Sequence, residues 1–386
     1  EVIVPALYNS TPAPDVRRRY ADADPVGKQV ADVLERALAY AVDAYDFDAV
    51  MTAAVKDMQV PGRGIVRVRY VPYLGEDGGS VAYQEVRCEH VPWQHFRHGP
   101  ANDWSSVPWV AFEHFLERDE IEKLVGDEAF AKKVPLNYVS TKDQAKDDEK
   151  DKNSLFRRAK VWEIWDRREK KVRFICPDYT EAELKVQDDP LGLDGFFPIP
   201  RPLQAIWQTD KLVPVTPLTI YADLVEELNE ITRRITRLVK QLRPRGGYPG
   251  NADTDMQKIA DAEDGELVPY QSADLLAFAS SNSGIEKMLI WWPLEPITQA
   301  LQTLFLQREA TKQTIYEVTG IADVLRGSTD PNETLGAQEL KAQFGSVRIQ
   351  RQQFETQRFA ADLFNLKAEI IAGHFTPEVL SMMTGI

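Results

Sequence analysis

Two stretches of this chain repeat their apolar residues in alternating steps of three and four. The first places Tyr221, Leu224, Leu228, Ile231, Ile235, Leu238 and Leu242 on one narrow stripe within Thr216–Arg243. Such a stripe is the seam of a helix that packs lengthwise against other helices. Thr216 suits the N-cap and Pro217 the first helical position, where a missing N–H costs nothing. Charge follows the helix dipole, with Asp223, Glu226, Glu227 and Glu230 early and Arg233, Arg234, Arg237, Lys240 and Arg243 late. The second stretch starts near Pro296 and carries Ile297, Leu301, Leu304, Arg308, Thr311, Ile315 and Val318 at the same spacing, ending at Gly320. Two long antiparallel helices are expected.

Elsewhere the pattern changes. Val30, Val33, Leu34, Leu38 and Val42 predict one long helix over Val26–Met58, stopped by Pro61-Gly62. Ile65–Val71 and Val81–Val86 alternate across a turn-rich Gly75–Gly79 and predict a hairpin. A Trp/Pro/His-rich passage spans Val91–Trp109, and Arg118–Val125 reads as a helix with a short continuation over Ala129–Lys133. Residues 141–154 are a charged, apolar-poor loop. A second hairpin pairs Val161–Trp165 with Val172–Ile175 across Arg167–Lys170. Pro190–Pro202 is an irregular, proline-rich connector. Between the two striped helices, residues 244–293 form a small α/β insert with eight acidic and three basic residues. Trp291-Trp292-Pro293 reads as an anchor where the insert rejoins the second striped helix. A turn-rich loop, Asp323–Asn332, precedes a long polar helix from about Glu333 to Ile371, with glutamines at 338, 343, 350, 352, 353 and 357. The fold class is α+β.

Composition narrows the function. The 386 residues carry a formal charge of −14, the wrong sign for a surface that grips nucleic acid through phosphates. No run of 18 apolar residues suggests a membrane span. Cys88 and Cys176 are too few and too far apart for a disulfide framework. The chain begins with Glu1 and no signal-peptide pattern, so we expect a processed or partial piece of a longer chain. Phosphate-loop, dinucleotide-binding, zinc-protease and nucleophile-elbow motifs are absent. Two clusters nevertheless offer chemistry. Cys88, His90, His95 and His98 lie within eleven residues, without the paired spacing of a structural zinc site, and we read them as ordinary loop or interface residues. Asp253, Asp255, Asp261, Glu263, Asp264 and Glu266 could hold a divalent cation, but no base or phosphate loop accompanies them, and a solvated acidic face is preferred. A metal-dependent enzyme built on either cluster is the alternative reading, and a coiled-coil scaffold without a channel is a third. No catalytic residue, cofactor or metal is assigned.

The order of segments resembles the portal proteins of tailed bacteriophages. So do Val161–Asp166 with its hairpin, the lead-in Pro217–Leu228, the passage Thr319–Gly327, and Asn332–Gln338, which continues into the polar helix. The resemblance covers most of residues 60–372. Residues 1–25, with four prolines and the basic run Arg17–Arg19, read as an N-terminal arm or edge segment that the resemblance does not cover. The resemblance implies a mixed α+β wing at 26–212, and stem helices at 213–243 and 294–320. It further implies a clip at 244–293, a channel loop at 324–336, and a crown-side helix with a C-terminal segment at 337–386, any longer crown being absent or truncated. By the same resemblance the chain forms a ring of twelve at one capsid vertex, is made in the host cytoplasm and ends in the virion, and conducts double-stranded DNA without tight binding during packaging and ejection. Its implied partners are the terminase large subunit, head–tail adaptor and tail proteins, and capsid and scaffolding proteins, with no membrane involved. The residues it singles out are Arg326, Gly327, Asp330, Pro331, Asn332, Glu333 and Gly336 in the channel loop. In the clip they are the six acids from Asp253 to Glu266, and in the stem seam Leu224, Leu228, Ile231, Ile235, Leu238, Leu301 and Leu304.

Overall fold

A computed structural model describes residues 3–18, 24–75, 81–138, 157–242, 246–247, 290–291, 294–320 and 335–385, with backbone alone at 246–247, 290–291 and 335–348. The protein is α+β, and it divides into two compact units, residues 1–220 with 319–386, and residues 221–318.

In the first unit, helices α1 (Ile3–Leu7), α2 (Pro25–Ala44) and α3 (Phe47–Gln59) surround the hairpin of β2 (Val66–Leu74) and β3 (Val81–His90). The Asp24 carboxylate caps α2, accepting from the N–H groups of Val26 and Gly27 at 3.0 and 3.3 Å, and Pro25 opens the helix. The single helix expected over Val26–Met58 is two. Asp46 takes a left-handed conformation, φ 48°, which breaks the hydrogen-bond ladder and starts a new helix with buried Phe47 at its head. The arm expected at 1–25 also needs correction in part, because α1 docks its Leu7 into this core. A short strand, β1 (Arg63–Gly64), lies so close to α3 that a Cβ on Gly64 would sit 2.2 Å from the Ala54 carbonyl oxygen. Only glycine permits that approach. β1 pairs with β9 (Leu203–Gln204).

The C-terminal helix α8 (Leu335–His374) overturns its description as a polar helix. Its glutamines end at Gln357, and beyond them Phe359, Leu363, Ile370 and Ile371 are buried against α2, α3 and the hairpin. Lys367, on the same face, is fully buried: its ammonium donates to the Ala41 carbonyl at 3.3 Å and lies 5.3 Å from the Phe47 ring centroid. Burial lowers the Lys367 pKa, against a smaller opposing effect of Cys88. A last helix, α9 (Pro377–Thr384), lies in the C-terminal segment and completes this core with Val379 and Met383.

The rest of the first unit is a five-stranded antiparallel sheet in the order β4 (Phe96–His98), β5 (Trp109–Leu116), β6 (Ala159–Asp166), β7 (Lys171–Ile175) and β8 (Lys185–Asp188). The predicted hairpin is β6–β7; β4, β5 and β8 extend it on both sides. Helices α4 (Arg118–Val125) and α5 (Glu128–Lys133) pack a second apolar cluster over one end, around Ile121, Val161 and Leu184. A third cluster joins Phe112, Trp165 and Val172 of the sheet to Phe196 and Phe197 of the connector. Between these two clusters the inward-facing residue of β6 is charged. Glu163 is buried and receives both Nη groups of Arg67 from β2 at 2.7 and 2.6 Å, the Trp165 indole N–H at 2.7 Å, and the His114 Nε2 at 2.8 Å. Burial alone would push the Glu163 carboxyl up, but the Arg67 charge and the bonds from His114 and Arg67 hold it down at about 2.

Candidate functional site

The second unit is built on the two striped segments. Helices α6 (Pro217–Gln241) and α7 (Glu295–Thr319) are 25 residues each, about 37 Å long at ~1.5 Å per residue. The Thr216 hydroxyl accepts from the Thr219 N–H at 3.4 Å at the start of α6. The helices run antiparallel: the Gln307 amide donates to Glu227 at 3.3 Å, and beyond the other end β10 (Gly246–Gly247) pairs with β11 (Ile290–Trp291). Trp291 therefore has its backbone in the ladder that closes the base of the insert.

Among the described residues, one face of each helix is covered. Ile231, Ile235, Leu301 and Leu304 are buried together, with Leu238, Leu242 and Ile297 packed around them. Leu224 and Leu228 are half-buried. Where the second stripe turns polar, Thr311 is buried with its hydroxyl donating to the Gln307 carbonyl at 3.0 Å. The polar atom is satisfied within its own helix, so the interruption costs little. Arg308 is half-buried beside Glu309 at 3.5 Å. The outward faces are not purely polar: Val239, Phe305 and Leu306 are 52, 49 and 75% exposed. A two-helix pair with so thin a seam and apolar residues outside it leaves much apolar surface in water.

Of the other predicted site residues, Asp253, Asp255, Asp261, Glu263, Asp264 and Glu266 in the insert, and Arg326, Gly327, Asp330, Pro331, Asn332 and Glu333 in the loop, lie outside the described residues. Gly336 has helical backbone in the first turn of α8, which begins at Leu335.

The Cys/His passage is dispersed. Cys88 is buried in the core of the first unit, and burial pushes its thiol up to about 11. His90 Nε2 meets Asp57 of α3 at 2.9 Å, and His95 Nδ1 meets Glu113 of β5 at 2.6 Å. His98 Nδ1 meets the Gly99 carbonyl at 2.9 Å, and burial lowers its pKa. Each histidine has its own partner, Cys88 is buried in the core, and the four do not converge on a common point, so the alternative reading from this passage loses its ligand set. Among the described residues no group of three or more His, Cys, Asp or Glu side chains is placed to hold a metal ion. Among them, too, no helix is long and apolar enough to cross a membrane. The polar centre that sequence reasoning missed is Glu163 with Arg67 and His114. Its signal was a lone acid between Val161 and Trp165, on the inward register of a strand.

No protein-family model matches the chain, and no curated protein matches it.

Proposed function

We propose that this chain is the subunit of a portal ring, a structural conduit for double-stranded DNA at one capsid vertex with no catalytic role of its own. The observation that carries the reading is the antiparallel pair α6–α7, joined through one thin apolar seam while Val239, Phe305 and Leu306 stay exposed. Such a pair is under-buried alone, and side-by-side packing of identical copies is the economical way to cover its flanks. The order of segments around it, with an acidic insert between the helices and a turn-rich loop after them, supports the same reading. Twelve copies at −14 each sum to about −170, a field that disfavours tight binding of DNA and suits cargo that must slide. In this scheme the acids Asp253, Asp255, Asp261, Glu263, Asp264 and Glu266 form an electrostatic mark for a basic partner, the packaging ATPase and later the adaptor proteins. Arg326 is a phosphate contact kept weak by Asp330 and Glu333, and Gly327 and Pro331 supply the bends of the constriction, whereas Gly336 already lies in the helix that follows it.

Negative-stain images of the purified chain test the reading. Rings with an open centre are expected, together with weak duplex binding that vanishes at moderate ionic strength. Compact particles without a central hole, or tight binding of duplex under those conditions, would overturn it.

A further inference from the structure

Three basic side chains gather around one phenylalanine of the edge strand β4. Arg63 of β1 lays its guanidinium 5.0 Å from the Phe96 ring centroid. The His98 ring lies 6.1 Å from the same centroid, and Arg97 Nη1 donates to the Phe96 carbonyl at 2.8 Å. Arg97 Nη1 also donates to the Gln94 carbonyl at 2.8 Å, so backbone oxygens alone orient this guanidinium. His98 Nδ1 donates to the Gly99 carbonyl at 2.9 Å, which leaves Nε2 without a partner among the described residues. Arg63 is placed by a strand held on both sides, through its pairing with β9 and the close seat of Gly64 on α3.

No acid answers these groups. Among the described residues Arg63 meets neither a carboxylate nor a hydrogen-bond acceptor, and Arg97 and His98 meet only backbone carbonyls. By contrast the buried or half-buried Arg67, Arg173, Arg201 and Arg358 each contact a glutamate. With 60 acidic and 46 basic residues in the chain, a counter-charge would have been easy to supply. The groups also feel one another. Burial and the Arg97 charge pull the Arg63 pKa down to about 10, and Arg63 adds to the burial that lowers His98. A guanidinium held partly out of water beside like charges is costly until an anion joins it. The group is open to such a ligand. Arg63 and His98 are half-buried and Arg97 is exposed, and the sealed, orphaned guanidinium donors of this protein belong to other arginines.

We propose that Arg63, Arg97 and His98 form a binding site for a small oxyanion of the phosphate type. Arg63 is the anchor, because part of the cost of removing its charge from water is met by the fold before the ligand arrives. Arg97 adds its Nε and Nη2 donors, and the forked donors of two guanidinium groups match the several acceptor oxygens of a tetrahedral anion. A bound anion favours the charged imidazole, which turns His98 Nε2 into a further donor. The inference is independent of ring formation, and either can fail without the other.

Inorganic phosphate is the probe. The full chain is titrated with it by calorimetry at low ionic strength, and thermal unfolding is compared in phosphate and in chloride of equal ionic strength. One site per chain is expected, with a higher melting temperature in phosphate because the ligand binds only the folded chain. Arg63→Met keeps the apolar stem and removes the uncompensated charge. Its affinity for phosphate should fall about tenfold or more, and the gain in melting temperature should shrink, while in chloride it melts no lower than the parent. Arg97→Gln, a change on an exposed side chain, should weaken binding severalfold with the fold intact. Any general effect of phosphate on stability is common to parent and variants, so the difference between them reads the site. Absence of binding to the parent, or a phosphate effect that is unchanged in either variant, would overturn the assignment.

Discussion

Glu163 shows how one residue can oblige a distant one. An acid on the inward face of a strand cannot stay ionised without a counter-charge, and the partner, Arg67, comes from a strand 96 residues away in sequence. Because its folded pKa lies near 2 and its ordinary value is 4.5, the group contributes stability that is fully present above the ordinary value. That contribution is lost as the pH falls from there through the folded value. The shift corresponds to a contribution of the order of 3 kcal/mol. Glu163→Gln keeps the shape but leaves the Arg67 charge buried and unneutralised. Denaturant unfolding at pH 7 should show a loss of about 3 kcal/mol, and the difference between variant and parent should shrink at pH 3. A difference independent of pH would mean that packing, not charge, holds the centre together. Val161 and Trp165 on the same register made the inward face of β6 legible in the sequence. Arg67 was not, since Val66 and Val68 beside it mark a strand without saying which sheet its charged face meets.

At the scale of elements, α6 and α7 were the most legible parts of the chain. Their alternating three- and four-residue steps specify a face, and the buried positions Ile231, Ile235, Leu301 and Leu304 fall on it. Leu301→Ala, in the middle of that seam, should lower the stability of the second unit by about 2–4 kcal/mol, less than a core deletion that leaves a sealed cavity if the helices can close the gap. Thermal unfolding followed by helix circular dichroism reads this directly; an unchanged melting curve would mean the seam contributes nothing to stability. The opposite case is α8, whose glutamine-rich first half masked a second half that is core. Averaged along forty residues its polarity looks uniform, and only the step from Gln357 to Phe359 marks where it enters the body. The strand β5 was also missed, because Trp109–Leu116 carries Glu113 and His114 among its apolar residues. Glu113 is bridged by His95 and Lys160, which hold its carboxyl below the usual range even though burial pushes it up.

For the whole molecule, the exposed apolar residues of the second unit are what association should use. Phe305 and Leu306 lie outside the α6–α7 seam, so charging them should leave the fold of the single chain intact. The double variant Phe305→Lys/Leu306→Lys is expected to keep its circular dichroism and melting temperature while sedimentation shows monomers in place of the proposed rings. Rings of normal size from this variant would remove these two residues from the interface. The negative charge of the chain belongs to the same scale: in the proposed ring, repulsion of DNA would grow with the number of copies and not with any one side chain.

What the sequence by itself determined was periodicity: the two striped helices, both hairpins, and the α+β class that follows from them. These are local patterns, because a repeat of three and four or of two is complete within a few turns or one strand. Only the tertiary structure decided the partners. It joined Arg67 to Glu163, set Lys367 against Phe47, broke the second helix at Asp46 and drew α8 into the core. A sequence states which face of an element avoids water, whereas the identity of what covers that face is a long-range property, reached only when the whole chain has packed.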